Sequence, residues 1–204
     1  MAYSDRSYHD ERRRILTAAV DVFSLRGFAE ASQREIARKA GVAPALVHHL
    51  FPTRAALIGA AAQAALMPAG LEGVLAPMRH EAPRDALARI ARLVMGLPGE
   101  KRRRQFLHKV MQEAHQDPEM VQAVWEALLR PVVAALAAYL VERSPAAGVR
   151  VEDPAIFAHA FVASLLAFSL GPLLWPQWPA GDFDAERVVS GVVDAFYRGL
   201  TPSS

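Results

Sequence analysis

The sequence predicts an all-α chain, and three observations carry that reading. No run of β-branched or aromatic residues alternates with polar ones between paired turn dipeptides. Apolar residues instead recur at helical i, i+3/i+4 spacing along most of the 204 residues. Gly, Pro, Ser, Thr and Asp fall where helices start and stop.

The first predicted helix runs from about Tyr8 to Arg26, with Ile15, Leu16, Ala19, Val22 and Phe23 on its buried face. Arg12, Arg13 and Arg14 lie early in it, and Gly27 stops it. Ser32 followed by Glu35 reads as a capping box for a short helix with Ile36, Ala37 and Ala40 inside. Gly41 supplies a left-handed residue for a tight turn, and Val42 plugs it. Pro44 suits the first turn of the next short helix, which carries Leu46, Val47, Leu50 and Phe51 and ends at Pro52. Thr53 caps a fourth helix, about Arg54 to Met67, anchored by Leu57, Ile58 and Leu66.

Met67-Pro68-Ala69-Gly70 should break or kink that helix, and 68–84, with three prolines, reads as a short or irregular helix. A helix at about 84–96 buries Leu87, Ile90, Ala91 and Val94; one at about 100–115 buries Phe106, Leu107, Val110, Met111 and Ala114. Asp117-Pro118 opens a long helix to about 143, with the stripe Val121, Val124, Trp125, Leu128, Val132, Leu136, Tyr139 and Leu140. Pro131 should kink it. Asp153-Pro154 repeats the cap-then-proline start. The last helix, about Ala185 to Leu200, buries Val188, Val189, Val192, Val193, Phe196 and Tyr197.

A hydrophobic content of 52% is enough for a sizeable core and excludes extended disorder as the main state. The absence of cysteine excludes disulfide frameworks, thiolate zinc sites and cysteine nucleophiles. MAYSDRSYHDERRR is charged with no apolar stretch behind it, which argues against a secretory signal and for a cytoplasmic location. Net charge is +2 but uneven: residues 1–57 hold nine Lys/Arg against six Asp/Glu, a balance of +3, while 58–204 hold fourteen against fifteen. A basic N-terminal quarter suits an anionic partner, or is plain surface charge.

Two short helices joined by a glycine turn form a helix-turn-helix, whose second helix enters the DNA major groove. That helix is Pro44–Leu50, and Arg26, Arg34, Arg38, Lys39 and Arg54 surround it against Glu30 and Glu35. The same pattern also describes an ordinary helical hairpin. Its start offers Pro44, Ala45 and Leu46 for apolar contact, for instance to thymine methyls; Gln33, Arg34, His48 and His49 are the polar readers. His49 fits a solvent-facing role equally well.

Residues 12–57 resemble the N-terminal domain of the TetR family of bacterial transcriptional regulators. The carrying residues are Arg14-Ile15-Leu16, Ala18-Ala19, Phe23, Gly27-Phe28, Ser32, Glu35-Ile36-Ala37, Ala40-Gly41-Val42, Pro44, Leu46, Phe51-Pro52, Arg54 and Leu57. The passage Glu113…Asp117-Pro118-Glu119 is also typical of the family. The resemblance implies a DNA-binding domain at 1–53 and a ligand-binding and dimerisation domain at 54–204. It implies a homodimer on palindromic double-stranded operator DNA, and repression released by a small-molecule effector. The implied DNA-binding set is Ser32, Gln33, Arg34, Pro44, Ala45, Leu46, His48, His49 and Arg54. Several positions depart from the family pattern. Ala43 stands where a Thr or Ser commonly caps the recognition helix, a loss of roughly 1 kcal/mol. His48 replaces a phosphate-contacting Tyr, Leu50 replaces a His, Arg54 replaces a Lys, and Ala31 replaces a Thr.

The segment 154–181 has no charged residue and is apolar all round, so it is fully buried or lies in a membrane. His159, Ser164, Ser169 and the break at Gly171-Pro172 argue against a membrane span, for which it is the only candidate, and favour a subunit interface across 154–200. A predominantly apolar pocket is expected among the helices at 84–97, 100–115, 118–143 and 154–171. Its expected lining is Phe106, Val110, Met111, Trp125, Leu128, Leu129, Phe157, His159 and Phe161; each also fits plain core packing. The suggested effector is therefore apolar or amphipathic.

His108 and His115 lie seven residues apart, roughly 10 Å along a helix, too far to grip one metal. No phosphate-cradling glycine loop and no hydrolase or metalloprotease motif occurs. No metal or cofactor is implied. A helical enzyme, or a constitutive DNA binder without an effector, is the alternative reading.

Overall fold

The structure, a computed structural model, describes residues 5–67, 70–143, 151–175, 177 and 184–200. Every regular element among them is helical: α1 Asp5–Arg26, α2 Gln33–Ala40, α3 Pro44–Leu50, α4 Arg54–Leu66, α5 Leu71–Leu75, a 3₁₀ turn Ala76–His80, α6 Pro83–Met95, α7 Lys101–Glu113, α8 Pro118–Val124, α9 Arg130–Arg143, α10 Pro154–Leu174 and α11 Ala185–Leu200. The expected break at 67–70 includes Pro68 and Ala69, which lie outside the described residues.

Contacts divide the chain into two units. One is Met1–Pro68 with Glu100–Leu128; the other is Ala69–Gly99 with Leu129–Ser204. The division expected at 53/54 follows motifs, and the packing units do not coincide with it: α7 and α8 pack on α1 and α4.

In the first unit α1 is the central helix, packed against α2, α4 and α7. Its stripe buries Ile15, Leu16, Ala19, Val22 and Phe23. Phe28, fully buried, stacks on Phe23 at 4.7 Å and meets Phe106 of α7 edge-on at 5.5 Å. A fully buried Phe contributes about 1.5–3 kcal/mol relative to an exposed one. In the second unit α6 packs on α11 and α10, and α9 packs on α10. Phe157, Phe161 and Phe196 form an aromatic cluster there. Buried Ser169 donates to the Val94 carbonyl at 2.8 Å.

The long helix expected over 118–143 is not a simple kinked helix. Trp125–Leu129 winds as a π-helical turn between α8 and α9. A π turn inserts one residue and shifts the phase of the buried face. The buried residues accordingly run Met120, Ala123, Leu128, Val132, Leu136, and Val121 is 38% exposed rather than part of the stripe. Pro131 lacks the N–H that an α-helix would direct to the Ala127 carbonyl. Gln63 Nε2 donates to that carbonyl instead, at 2.9 Å.

Two further expectations change. α10 continues through Gly171-Pro172 to Leu174 and does not break there. Among the described residues, Pro118–Arg143 is, like Pro154–Leu174, long and apolar enough to cross a membrane, so the second is not the only candidate. Nor is α10 buried all round in the protomer. Ala158, Phe161, Val162, Leu165 and Ser169 face the core, while Ala155, Ile156, His159, Ala160, Ala163, Ala167 and Leu174 face outward.

Candidate nucleic-acid interface

The head is built from its caps. Ser32, in extended backbone, accepts the Glu35 N–H through Oγ at 3.2 Å. The other half of the expected capping box is replaced: the Glu35 carboxylate pairs with Arg26 at 2.9 Å. Gly41 sits in the left-handed region at φ 67°, ψ 40°, and the Val42 N–H closes back on the Ala37 carbonyl at 3.0 Å. That is a Schellman ending, and it sets the angle between α2 and α3. The α3 N-cap, Ala43, makes no side-chain bond, and Pro44 occupies the first helical position. Thr53 Oγ1 accepts the Ala56 N–H at 3.0 Å and starts α4.

Val47 is fully buried and fixes the roll of α3. Pro44, Ala45, His48 and His49 are then exposed, with Leu46 half-buried. On α2, Arg34 and Arg38 are exposed, Gln33 is half-buried, and Ser32 is exposed at the cap. Eight of the nine expected DNA-contact residues thus sit on α2, α3 or their caps. Arg12 lies over the Phe51 ring at 5.6 Å, tying α1 to the end of α3.

Arg54 is engaged elsewhere. Its Nη2 donates to the Phe28 carbonyl at 3.1 Å and to Asp117 Oδ2 at 2.7 Å. The guanidinium holds the Asp117 carboxyl below the usual carboxylate range, aided by the Met120 N–H that Asp117 accepts as the α8 cap. Glu113, at the end of α7, accepts the Phe28 and Ala29 N–H groups on one oxygen at 2.8 and 3.0 Å. At the other end of α7, Arg102 donates to the Thr17 carbonyl at 3.0 Å and Asp21 at 2.6 Å. These contacts escaped the sequence reading. The only hint was the Glu113…Asp117-Pro118-Glu119 passage, noted without a role.

The nine expected ligand-lining residues are divided between the units. Phe106 packs on Phe28, Val110 and Leu128 are buried, and Met111 and Trp125 are half-buried in the first unit. Leu129, Phe157, His159 and Phe161 belong to the second. Phe161 is core, whereas His159 lies on the outward face of α10, with Nδ1 2.8 Å from the Ala155 carbonyl. None of these residues lines the groove of about 570 Å³ between α4 and α8, which is floored by Gly59, Ala60 and Ala123 and edged by Gln63, Glu119 and Gln122.

Residues 15–61 match the family described as bacterial regulatory proteins, tetR family, and residues 85–199 match the AefR-like transcriptional repressor C-terminal domain. The HTH-type transcriptional regulator BetI of Brucella anthropi is 37% identical over 79 residues, 39% of this chain; the chain spans 41% of that regulator's length. Among solved structures, NalD of Pseudomonas aeruginosa, the secondary repressor of the MexAB-OprM multidrug efflux pump, superposes with a TM-score of 0.67 at 23% identity, over 97% of this chain and all of NalD. FadR of Bacillus subtilis, in complex with stearoyl-CoA, gives 0.67 at 17% identity, over 92% of this chain and 98% of FadR. At those identities the likeness carries the fold alone.

Proposed function

Because the chain belongs to the TetR family, a family of DNA-binding transcriptional regulators, we propose that it is a ligand-responsive repressor acting on a palindromic operator. The observation that carries the reading is the α2–α3 head. Its Schellman turn and buried Val47 leave Pro44, Ala45, His48 and His49 facing outward, with Arg34 and Arg38 beside them. That is a short helix presented to a major groove with cations at its flank.

A homodimer would place two such heads on successive major grooves, about 34–36 Å apart. The outward α10 face, with Ile156 67% exposed, supports pairing through residues 154–200, of which 176 and 178–183 lie outside the described residues. For the effector, the α4–α8 groove offers an apolar floor with a polar rim, and an amphipathic molecule suits it. The stearoyl-CoA held by FadR is of that kind. The role is binding and not catalysis, in the cytoplasm, with no membrane partner.

The test is selection of bound fragments from the host genome by the purified protein. A recurring inverted repeat is expected, with affinity falling steeply as salt rises. Failure to enrich any sequence would overturn the reading. Selection of a repeat whose binding no amphipathic compound relieves would leave a constitutive binder.

A further inference from the structure

We propose that Glu113 is a positioning residue for DNA reading: with Arg54 and Asp117 it clasps the 27–29 turn from which α2 departs. The inference rests on the DNA-binding reading of the head. The peptide unit at Phe28 is gripped on both sides. Glu113 takes the Phe28 and Ala29 N–H groups at 2.8 and 3.0 Å, and Arg54 takes the Phe28 carbonyl at 3.1 Å. Bonds from two N–H groups to one ionised carboxylate are charge-assisted and stronger than neutral pairs.

The backbone is shaped around that carboxylate. Gly27 has φ +92°, and a Cβ added there would lie 1.9 Å from Glu113 Oε1. Any side chain at 27 would therefore expel the clasp as well as strain the turn. The clasp is anchored in turn. Asp117 joins Arg54 at 2.7 Å while capping α8 through the Met120 N–H at 2.9 Å. Phe106, one to two turns before Glu113, packs on the Phe28 ring. The direction in which the chain leaves α1 for Ser32 is thus set by the α7–α8 corner, and α2 with α3 follows rigidly through Gly41. None of Glu113, Arg54 and Asp117 lies on α2 or α3.

Electrostatics makes the test discriminating. Removing an acidic residue from a DNA-binding unit ordinarily tightens binding through reduced repulsion. A weakening on loss of Glu113 or Asp117 must therefore come from lost positioning. The experiment measures affinity for the genomic fragment that the wild-type protein selects, per active molecule as counted by stoichiometric titration. Amide exchange is followed at Phe28 and Ala29. Glu113→Ala should weaken binding about tenfold, as when the binding-competent fraction falls to a tenth. The slope of log affinity against log salt should not change, because no phosphate contact is lost. Glu113→Gln keeps a carbonyl acceptor and should recover most of the affinity. Asp117→Asn keeps the cap, releases Arg54 and should lie between.

Faster exchange at Phe28 and Ala29, with α1 core amides unchanged, should accompany the loss. Equal or tighter binding by Glu113→Ala, or by Asp117→Asn if Glu113→Ala does not fold, would overturn the proposal. A slope flattened by about one unit would also overturn it, marking direct involvement in a phosphate contact. A wild-type protein that selects no fragment would overturn the reading of the head itself, and this proposal with it.

Discussion

The two units both hold backbone carbonyls with side chains, but at different places. In the first, Glu113 and Arg54 grip the 27–29 turn, Arg102 reaches the Thr17 carbonyl within α1, and Gln63 fills the acceptor left by Pro131. In the second, Tyr139 and Arg143 donate to the Glu81 and Arg79 carbonyls at the end of the 3₁₀ turn, and the ion pairs Arg84–Asp194 and Arg92–Glu186 join α6 to α11 along exposed helix faces. That unit also leaves Val141 at 63%, Ile156 at 67% and Trp175 at 56% exposure, on or next to α9 and α10, while in the first unit Leu25 of α1 is 74% exposed. A unit whose turns are pinned can hold a fixed presentation. A unit with an open apolar face is built to be completed by something else.

The sharpest way to break this contrast is to exchange the kinds of damage. Phe106→Ala, in the pinned unit, removes a fully buried ring under the 27–29 turn. It should cost about 3–5 kcal/mol in equilibrium unfolding and abolish DNA binding at growth temperature. A loss under 1 kcal/mol would mean that the aromatic cluster is not what supports the turn.

Ile156→Glu, in the open unit, should do the reverse. The residue is two-thirds exposed in the protomer, so folding should survive, with an unchanged far-UV spectrum. The proposed dimer's affinity should fall by about 2–3 kcal/mol, the scale of an interface hot spot, and sedimentation should show monomer at concentrations where the wild type is expected to pair. Phe161, fully buried, is a poor probe of dimerisation, since a charge there would unfold the protomer. A dimeric Ile156→Glu protein would remove α10's outward face from the interface.

A gain of stability sharpens the comparison from the other side. Ala43 is the N-cap of α3 and offers no side-chain acceptor, although its backbone already has cap geometry at φ −67°, ψ 140°. Ala43→Ser should stabilise the head by about 0.5–1 kcal/mol, read as slower exchange in α3. No change would show that α3 is held by Val47 and the turns alone.

What the sequence disclosed follows the same line. Caps and turns are local chemistry, so Ser32, Gly41, Thr53, Asp117 and Asp153 start or stop helices in the structure where the sequence places them. α11 has the bounds its periodicity predicts. The π turn was not legible, because Pro131 predicts a defect but not its form, and its relief comes from Gln63, 64 residues away. Glu113 was equally hidden: its partners are backbone N–H groups 84 and 85 residues distant, which carry no residue-type signal. An aromatic stripe marks burial without saying what is buried against it. Phe106 serves the head, and Phe161 serves a cluster with Phe157 and Phe196.

The smallest effect expected separates the two kinds of ion pair by pH and salt. Arg54 holds the Asp117 carboxyl below its usual range, and Arg84 does the same for Asp194. A carboxyl whose folded pKa is depressed adds stability above its unfolded pKa, about 3.9. That stability is lost as pH falls through the lower, folded value. Both pairs should therefore be intact at neutral pH and fail only below about pH 4. They differ in exposure. The Asp117 side chain is 15% accessible, against 38% for Asp194. Salt screens exposed pairs strongly and sheltered ones weakly. Unfolding midpoints measured from pH 5 to pH 2.5, at low and high salt, should show an acid-sensitive component that Asp117→Asn removes at both salt levels. Asp194→Asn should alter the curve at low salt alone. If the two variants respond to salt alike, the Arg54–Asp117 pair is an ordinary surface contact and the contrast between pinned turns and joined helix faces loses its electrostatic half.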